Sequence, residues 1–277
     1  MLCKLRKPVM SITWVVEAEV FPRDAAELPC IAAELGGRAI LWDDDWTEET
    51  LPALPGPVVF RGSLAIADRV ARSPKWQPGA FCETTRLHCS AYFPLVSDLL
   101  VSERRAETTV AQLVRDASGI ASTLGTNSGR LFVRPDSPLK PFSGRVVPIE
   151  GLTLASFDCG FYYDDPDLPV IASPVFAVHA EWRLVAIGRT VVAGCGYDPV
   201  THSPTEVPVP DEVVQLGGEV AKRVHSTTPI VVIDIGRTDA GLRLVELNPF
   251  SGADLYKCDL AAVAASVQNW IDSDAAS

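Results

Sequence analysis

The run Ile230 to Phe250, reading IVVIDIGRTDAGLRLVELNPF, restricts the fold of this chain more than any other stretch. Ile230 to Ile235 is apolar and β-branched, and Leu242 to Leu247 mixes apolar with polar residues. Between them Asp239-Ala240-Gly241 suits a three-residue hairpin link with glycine at the left-handed position. That link sets the register and places Asp234 opposite Glu246. Side chains alternate along a strand, so Asn248 shares the face of Glu246, while Val245 and Leu247 turn with Ile233 and Ile235 toward a core. Carboxylates that face each other across a sheet repel. A hard divalent cation held by oxygen ligands removes the repulsion. The pattern therefore reads either as a cation site or as an acidic sheet face that ends at Asn248-Pro249.

A chain of 277 residues makes one large domain or two small ones, and with 47% hydrophobic residues it can bury a sizeable core. The net charge of -11 argues against a general nucleic-acid binder, yet leaves room for a local basic site that takes a small anion. Seven cysteines, at 3, 30, 82, 89, 159, 195 and 258, are scattered and form no CxxC, which reads as free thiols in a reducing cytoplasm. Met1 to Val16 carries basic residues and a short apolar run without a clear small-residue cleavage site, and Met10 is an alternative start. No apolar run is long enough to span a membrane.

The first third alternates strand and helix: strands at Ile12 to Val20, Ala39 to Trp42 and Pro57 to Arg61, and helices at Asp24 to Leu35, capped by Asp24, and Ser63 to Ala71. This α/β pattern predicts a parallel sheet. Glu107 to about Leu124 reads as one helix with an apolar stripe. Strands dominate beyond it: Arg130 to Arg134, Gly144 to Ile149, Pro169 to Ala172, Trp182 to Ile187 and Thr190 to Gly196. A proline-rich loop, 199 to 210, leads to a helix from Glu212 to His225, and a last amphipathic helix starts at Asp259. The predicted division is an N-terminal α/β region, 1–105, and a C-terminal region, 106–277, with an antiparallel sheet and helices.

Two further charged motifs stand out. Arg134 at a strand end and Lys140 in the loop after it suit a polyphosphate clamp, Arg as a planar fork and Lys as a mobile point charge. A surface turn with two solvated cations is the other reading, and the GxxxxGK[ST] phosphate loop is absent. Glu181-Trp182-Arg183 puts Glu181 and Arg183 on one strand face, either as a cross-strand ion pair or as ligands for a ribose hydroxyl and an anion. The four histidines show no metal spacing, and Ser63 lacks a nucleophile-elbow context.

Three runs together, VRPDSPLKPFSG, AEWRLV, and VIDIG followed by ELNPFSG, resemble the ATP-grasp superfamily. More narrowly they resemble its small clade named for two arginines and a lysine. The likeness is strongest from Leu131 to Tyr256, and the upstream FRGSL and QPG runs are also similar to that clade. The resemblance implies an ATP-grasp fold in which Asp234, Glu246 and Asn248 bind one or two Mg²⁺ on the ATP phosphates. It implies phosphate contacts from Arg134 and Lys140, with Arg183 facing the phosphate or an acyl-phosphate. Ser173 to Phe176, with Ser173, Val175 and Phe176 as named contacts, would be the hinge that reads adenine through main-chain groups, and Glu181 would meet the ribose. In place of the glycine-rich covering loop common in the superfamily, this chain has a proline- and serine-rich one. The implied reaction joins a carboxylate to an amine through an acyl-phosphate, with small-molecule or peptide carboxylates and amines as partners. A small-molecule kinase and a non-catalytic nucleotide-binding module are the alternatives. Acceptor specificity is expected in residues 62 to 105 and 199 to 210, with Arg61, Arg237 and Tyr256 as candidate substrate contacts. A homodimer is the general prior for oligomeric state.

Overall fold

The computed structural model describes residues 10–157 and 165–274; Cys3, Cys159 and the first residues of the amino-terminal run lie outside them. The chain opens on a parallel sheet of order β2-β1-β3-β4, from β1 (Thr13–Val16), β2 (Arg38–Leu41), β3 (Val58–Arg61) and β4 (Pro78–Gly79). Helices α1 (Pro22–Glu34) and α2 (Leu64–Arg72) make the crossovers, as the alternating pattern predicts. One detail differs. Asp24 is not the cap of α1, which starts at Pro22 because proline's fixed φ and missing N–H suit the first helical turn. Asp24 is instead buried and pairs with Arg61 at 2.8 Å.

Residues 83 to 105 turn through short helical pieces, including α3 (Cys89–Tyr92). Leu87, Tyr92, Phe93, Val96 and Leu100 pack into the core beneath the last sheet. Leu100 also bridges Leu244. The segment thus shares its core with the C-terminal region.

The single helix expected from Glu107 is three elements: β5 (Ala106–Thr109), α4 (Val110–Arg115) and α5 (Ala117–Thr123). Glu107 and Thr108 pair with a neighbouring strand instead of entering a helix. Thr109 then caps α4 in a reciprocal box with Gln112, and Asp116 breaks the helix by capping α5 through the Gly119 N–H. The second sheet has the order β5-β8-β6-β7 with β6 (Arg130–Pro135), β7 (Arg145–Pro148) and β8 (Pro169–Ser173), all antiparallel. Alternation in β6 sends Leu131 and Val133 into the core under α4 and α5, and leaves Phe132 and Arg134 on the open face.

The third sheet, order β10-β9-β11-β12, is antiparallel throughout. It contains β9 (Ala180–Ile187), β10 (Thr190–Tyr197), β11 (Ile230–Thr238) and β12 (Gly241–Pro249), with α6 (Asp211–Val224) before β11 and α7 (Leu260–Asp274) last. Asp259 caps α7 through the Ala262 N–H at 2.9 Å. On one face Trp182, Leu184, Val231, Ile233 and Ile235 pack with α6. On the other, Val185, Ile230 and Val232 pack with α7 and the first sheet. Within α7, Val263, Val267 and Ile271 line that core, each worth about 1.5–3 kcal/mol for full burial. Five cysteines, Cys30, Cys82, Cys89, Cys195 and Cys258, are free thiols as expected. No helix among the described residues is long and apolar enough to cross a membrane.

Candidate active site

The faces of β9, β11 and β12 that begin in the α7 core continue into an open cleft, where apolar residues give way to charged ones. Asp234 pairs with Glu246 across β11 and β12, the expected register. The route to it differs from the expectation. The hairpin closes at Thr238 opposite Gly241, leaving a two-residue tip, and a β-bulge at Val245 restores the register. Gly241 keeps its left-handed backbone, φ 93°. The bulge also changes which way Val245 points. Leu244 and Leu247 both reach the α6 core, whereas Val245 lines the cleft beside Glu246. Its placement with Ile233 and Ile235 is therefore corrected: an extra residue in one strand breaks simple alternation.

Arg134, Glu246, Lys140, Asn248, Asp234 and Arg183 form one unbroken chain of contacts. Arg134 donates to Glu246 Oε2 at 2.7 Å and to the Val245 carbonyl at 3.2 Å. Lys140 Nζ lies 2.7 Å from Glu246 Oε1 and 2.7 Å from Asn248 Oδ1. Asn248 Nδ2 donates to Asp234 Oδ2 at 2.9 Å. Arg183 forks onto Asp234, at 2.9 and 2.7 Å, and donates to the Asp254 carbonyl at 2.7 Å. Burial raises the pKa of Glu246, but Lys140 and Arg134 outweigh it and hold the carboxyl well below its usual range. Glu181, on the same face as Arg183, is pushed up to about 8 by burial and by the Asp234 charge, against a hydrogen bond from Tyr197. Burial thus favours the neutral form of the Glu181 carboxyl. The Arg134–Lys140 and Glu181–Arg183 motifs are thus neither a solvated turn nor an exposed sheet pair: Arg183 is 7% and Glu181 8% exposed.

Two cavities meet at Arg134. The smaller is apolar and is lined by Phe93, Leu100, Phe132, Ile171 and Phe176, together with Arg105. Ser173 also lines it, while Val175 does not and is 41% exposed. The larger cleft holds Lys140, Glu181, Arg183, Glu246 and Asn248, and extends to Tyr197, Val200, His202, Asp254 and Tyr256. Lys140, His202 and Tyr256 are the three non-glycine residues with left-handed backbone among the described residues, at φ 49°, 55° and 48°. All three line this cleft. Backbone held in sparsely populated regions concentrates at binding sites.

Asp234 lies behind the cleft wall. It is fully buried, and both of its oxygens already accept hydrogen bonds. Among the described residues no three His, Cys, Asp or Glu side chains are grouped to hold a metal. The donor set is two carboxylates and one amide oxygen, hard ligands of the kind Mg²⁺ takes. The Lys140 ammonium, between Glu246 and Asn248, shows that this point of the cleft accepts a cation.

Two expected substrate contacts lie elsewhere. Arg61 is fully buried, pairs with Asp24, and donates to the Phe250 carbonyl, so it ties the first sheet to the end of β12. Arg237 is on the α6 side of the sheet, bonded to Glu212 and 5.7 Å over the Trp182 ring. Tyr256 does line the cleft. From the stretch 62 to 105, Leu64 reaches the cleft, whereas Phe93, Leu100 and Arg105 serve the apolar pocket. Phe132 was legible two residues before Arg134 on the same strand face. Phe93, Arg105 and Val245 carried no signal of their own.

The sequence matches an ATP-grasp domain family, the third of the clade named for two arginines and a lysine, over residues 62–267. The chain belongs to this clade of the ATP-grasp superfamily. Solved structures agree on the ATP-grasp fold. An ATP-grasp RimK domain protein from Sphaerobacter thermophilus aligns at 15% identity and TM-score 0.61, covering 94% of this chain and 99% of that one. D-cycloserine synthetase DcsG aligns at 14% and 0.60, covering 93% and 98%. The ATP-grasp ligase PsnB, complexed with a minimal precursor, Mg and ADP, aligns at 14% and 0.56, covering 93% and 97%. No curated protein sequence matches this chain significantly.

Proposed function

We propose that this ATP-grasp chain is an ATP-dependent carboxylate–amine ligase acting through an acyl-phosphate. One observation carries the reading: Arg134, Lys140 and Arg183 converge on Glu246, Asn248 and Asp234 beside an apolar, aromatic-lined pocket. Adenine would lie against Phe132 and Phe176, whose rings are 5.0 Å apart, and beside the Ser173–Phe176 segment. Glu181 would accept a ribose hydroxyl. The phosphates would then run toward Arg134 and Lys140. Glu246 and Asn248, with Asp234 behind them, would hold Mg²⁺. Bound there, the metal supplies charge neutralisation to the phosphates.

The carboxylate oxygen attacks the γ-phosphorus as its bond to the bridging oxygen breaks, and ADP leaves. The amine nitrogen then attacks the acyl carbon, the bond to the phosphate oxygen breaks, and the nitrogen gives up its proton as the amide forms. Arg134, Lys140 and Arg183 position and stabilise the transferring group, and no side-chain nucleophile is required. Peptide carboxylates belong among the substrates to screen, since PsnB is seen complexed with a precursor peptide.

Calorimetry with ATP and a non-hydrolysable analogue, with Mg²⁺ and with EDTA, tests the site in the wild type and in Glu246→Gln. Mg²⁺-dependent binding that the variant loses is the expected result, followed by ADP release on adding carboxylate and amine. A folded wild-type protein that binds no nucleotide overturns the reading. ADP release with a stable phosphorylated product would assign a kinase.

A further inference from the structure

Charge in the large cleft is distributed unevenly. Arg134 and Lys140 both rest on Glu246, and Arg183 rests on Asp234. Glu181 is buried in the cleft wall, 8% exposed. Asp254 is different: it lines the cleft, is exposed, and among the described residues has no basic group within ion-pair distance. One of its carboxylate oxygens, Oδ1, accepts the Tyr256 N–H at 2.8 Å. Its main-chain carbonyl accepts from Arg183 at 2.7 Å, which puts the residue beside Arg183. Tyr197 and Tyr256 line the same cleft with ring centroids 5.0 Å apart, and Tyr197 is 6.2 Å from the His202 ring. Tyr256 takes a strained left-handed backbone at this wall. Val200, at the mouth, is 83% exposed and offers apolar surface to anything that enters.

We infer that Asp254, Tyr256 and Val200 form the acceptor subsite and that it takes a primary amine arriving as an ammonium ion on an apolar body. The inference rests on the ligase reading and adds where the second substrate binds and what charge it carries. The carboxylate of Asp254 binds the ammonium group and accepts the proton that the nitrogen must lose before it attacks the acyl carbon. The aromatic wall, whose rings already hold the Arg183 guanidinium at 5.4 and 4.6 Å, covers the adjoining carbon atoms. The mouth at Val200 is open, so the body of the acceptor can extend out of the cleft. An anionic or uncharged acceptor would leave the Asp254 charge without a partner.

A competition between nucleophiles tests this. Purified protein is given Mg-ATP and a panel of L-amino acids as carboxylates, with hydroxylamine as a small, mostly uncharged nucleophile and L-leucine methyl ester as an ammonium probe. Hydroxamate and amide are quantified by mass spectrometry. In the wild type the ester should compete strongly. In Asp254→Asn, which keeps the oxygen that accepts the Tyr256 N–H, the amide-to-hydroxamate ratio should fall about tenfold or more, the loss expected for one charge-assisted hydrogen bond. Asp254→Lys should depress it further. An unchanged ratio in both variants overturns the subsite and leaves the ligase reading standing. No hydroxamate and no amide with any carboxylate, from protein that binds Mg-ATP, overturns the ligase reading and the subsite with it.

Discussion

Replacing Asp234 by alanine should destabilise the protein more than any other single truncation in the cleft. The carboxylate is fully buried and accepts two hydrogen bonds from Arg183 and one from Asn248. Removing it leaves a guanidinium that is itself 7% exposed without its counter-charge. Breaking a buried pair from one side costs about 3–5 kcal/mol, chiefly as the penalty of the stranded charge. For a chain of this size that lowers the melting temperature by roughly 10 °C. Lys140→Ala is the control: its side chain is 30% exposed, and Glu246 keeps Arg134 when the ammonium is gone, so the cost should be about 1 kcal/mol or less. Urea denaturation followed by circular dichroism reads both. Arg183→Met removes the stranded charge and should therefore rescue stability. The double variant Asp234→Ala/Arg183→Met should recover most of the loss. Asp234→Ala within about 1 kcal/mol of wild type, or no recovery in the double variant, would refute the reasoning.

Two further outcomes follow from the same geometry. The Glu181 carboxyl keeps its proton to about pH 8, whereas the unfolded chain releases it near 4.5. The native state therefore binds more protons in that window, and stability falls as pH rises through it. Glu181→Gln should flatten this loss: variant and wild type diverge progressively from about pH 5 to 8.5 in thermal melts, with the wild type lower at the alkaline end, and parallel profiles would contradict the assignment. Phe132→Ala should weaken nucleotide binding about tenfold through loss of base stacking while leaving the fold intact, because its ring faces the cleft and not the core under α4 and α5. Calorimetry checks it, and an unaltered ATP affinity would move the base out of that pocket.

The failure at Glu107 to Leu124 shows what local pattern omits. The apolar stripe of Val110, Leu113 and Ile120 is helical in both readings. Yet Glu107 and Thr108 belong to β5 because a partner strand, β8, lies alongside, and Asp116 splits the helix because its side chain caps the next turn. Strand pairing depends on a neighbour distant in sequence, so no window around Glu107 contains the deciding information. Asp24 and Arg61 teach the same lesson. Each carries a plausible local role, as a helix cap and a substrate contact, and each is consumed by the other inside the core.

Sequence by itself determined the three charged motifs and the faces they share. Strand alternation sets which of Glu181, Arg183, Asp234, Glu246 and Asn248 point together, and alternation is local. Only the tertiary structure decided how those faces meet. The bulge at Val245 is invisible to a period-two reading, yet it holds Asp234 opposite Glu246 and turns Val245 toward the cleft. Packing put residues 93 to 105 against β12, which brought Phe93 and Arg105 to the apolar pocket. Desolvation, which depends on everything packed around a group, gave Glu181 a raised pKa while Lys140 and Arg134 lowered that of Glu246. The residue types came from the chain, and their ionisation and partners came from burial and contacts that only the assembled fold creates.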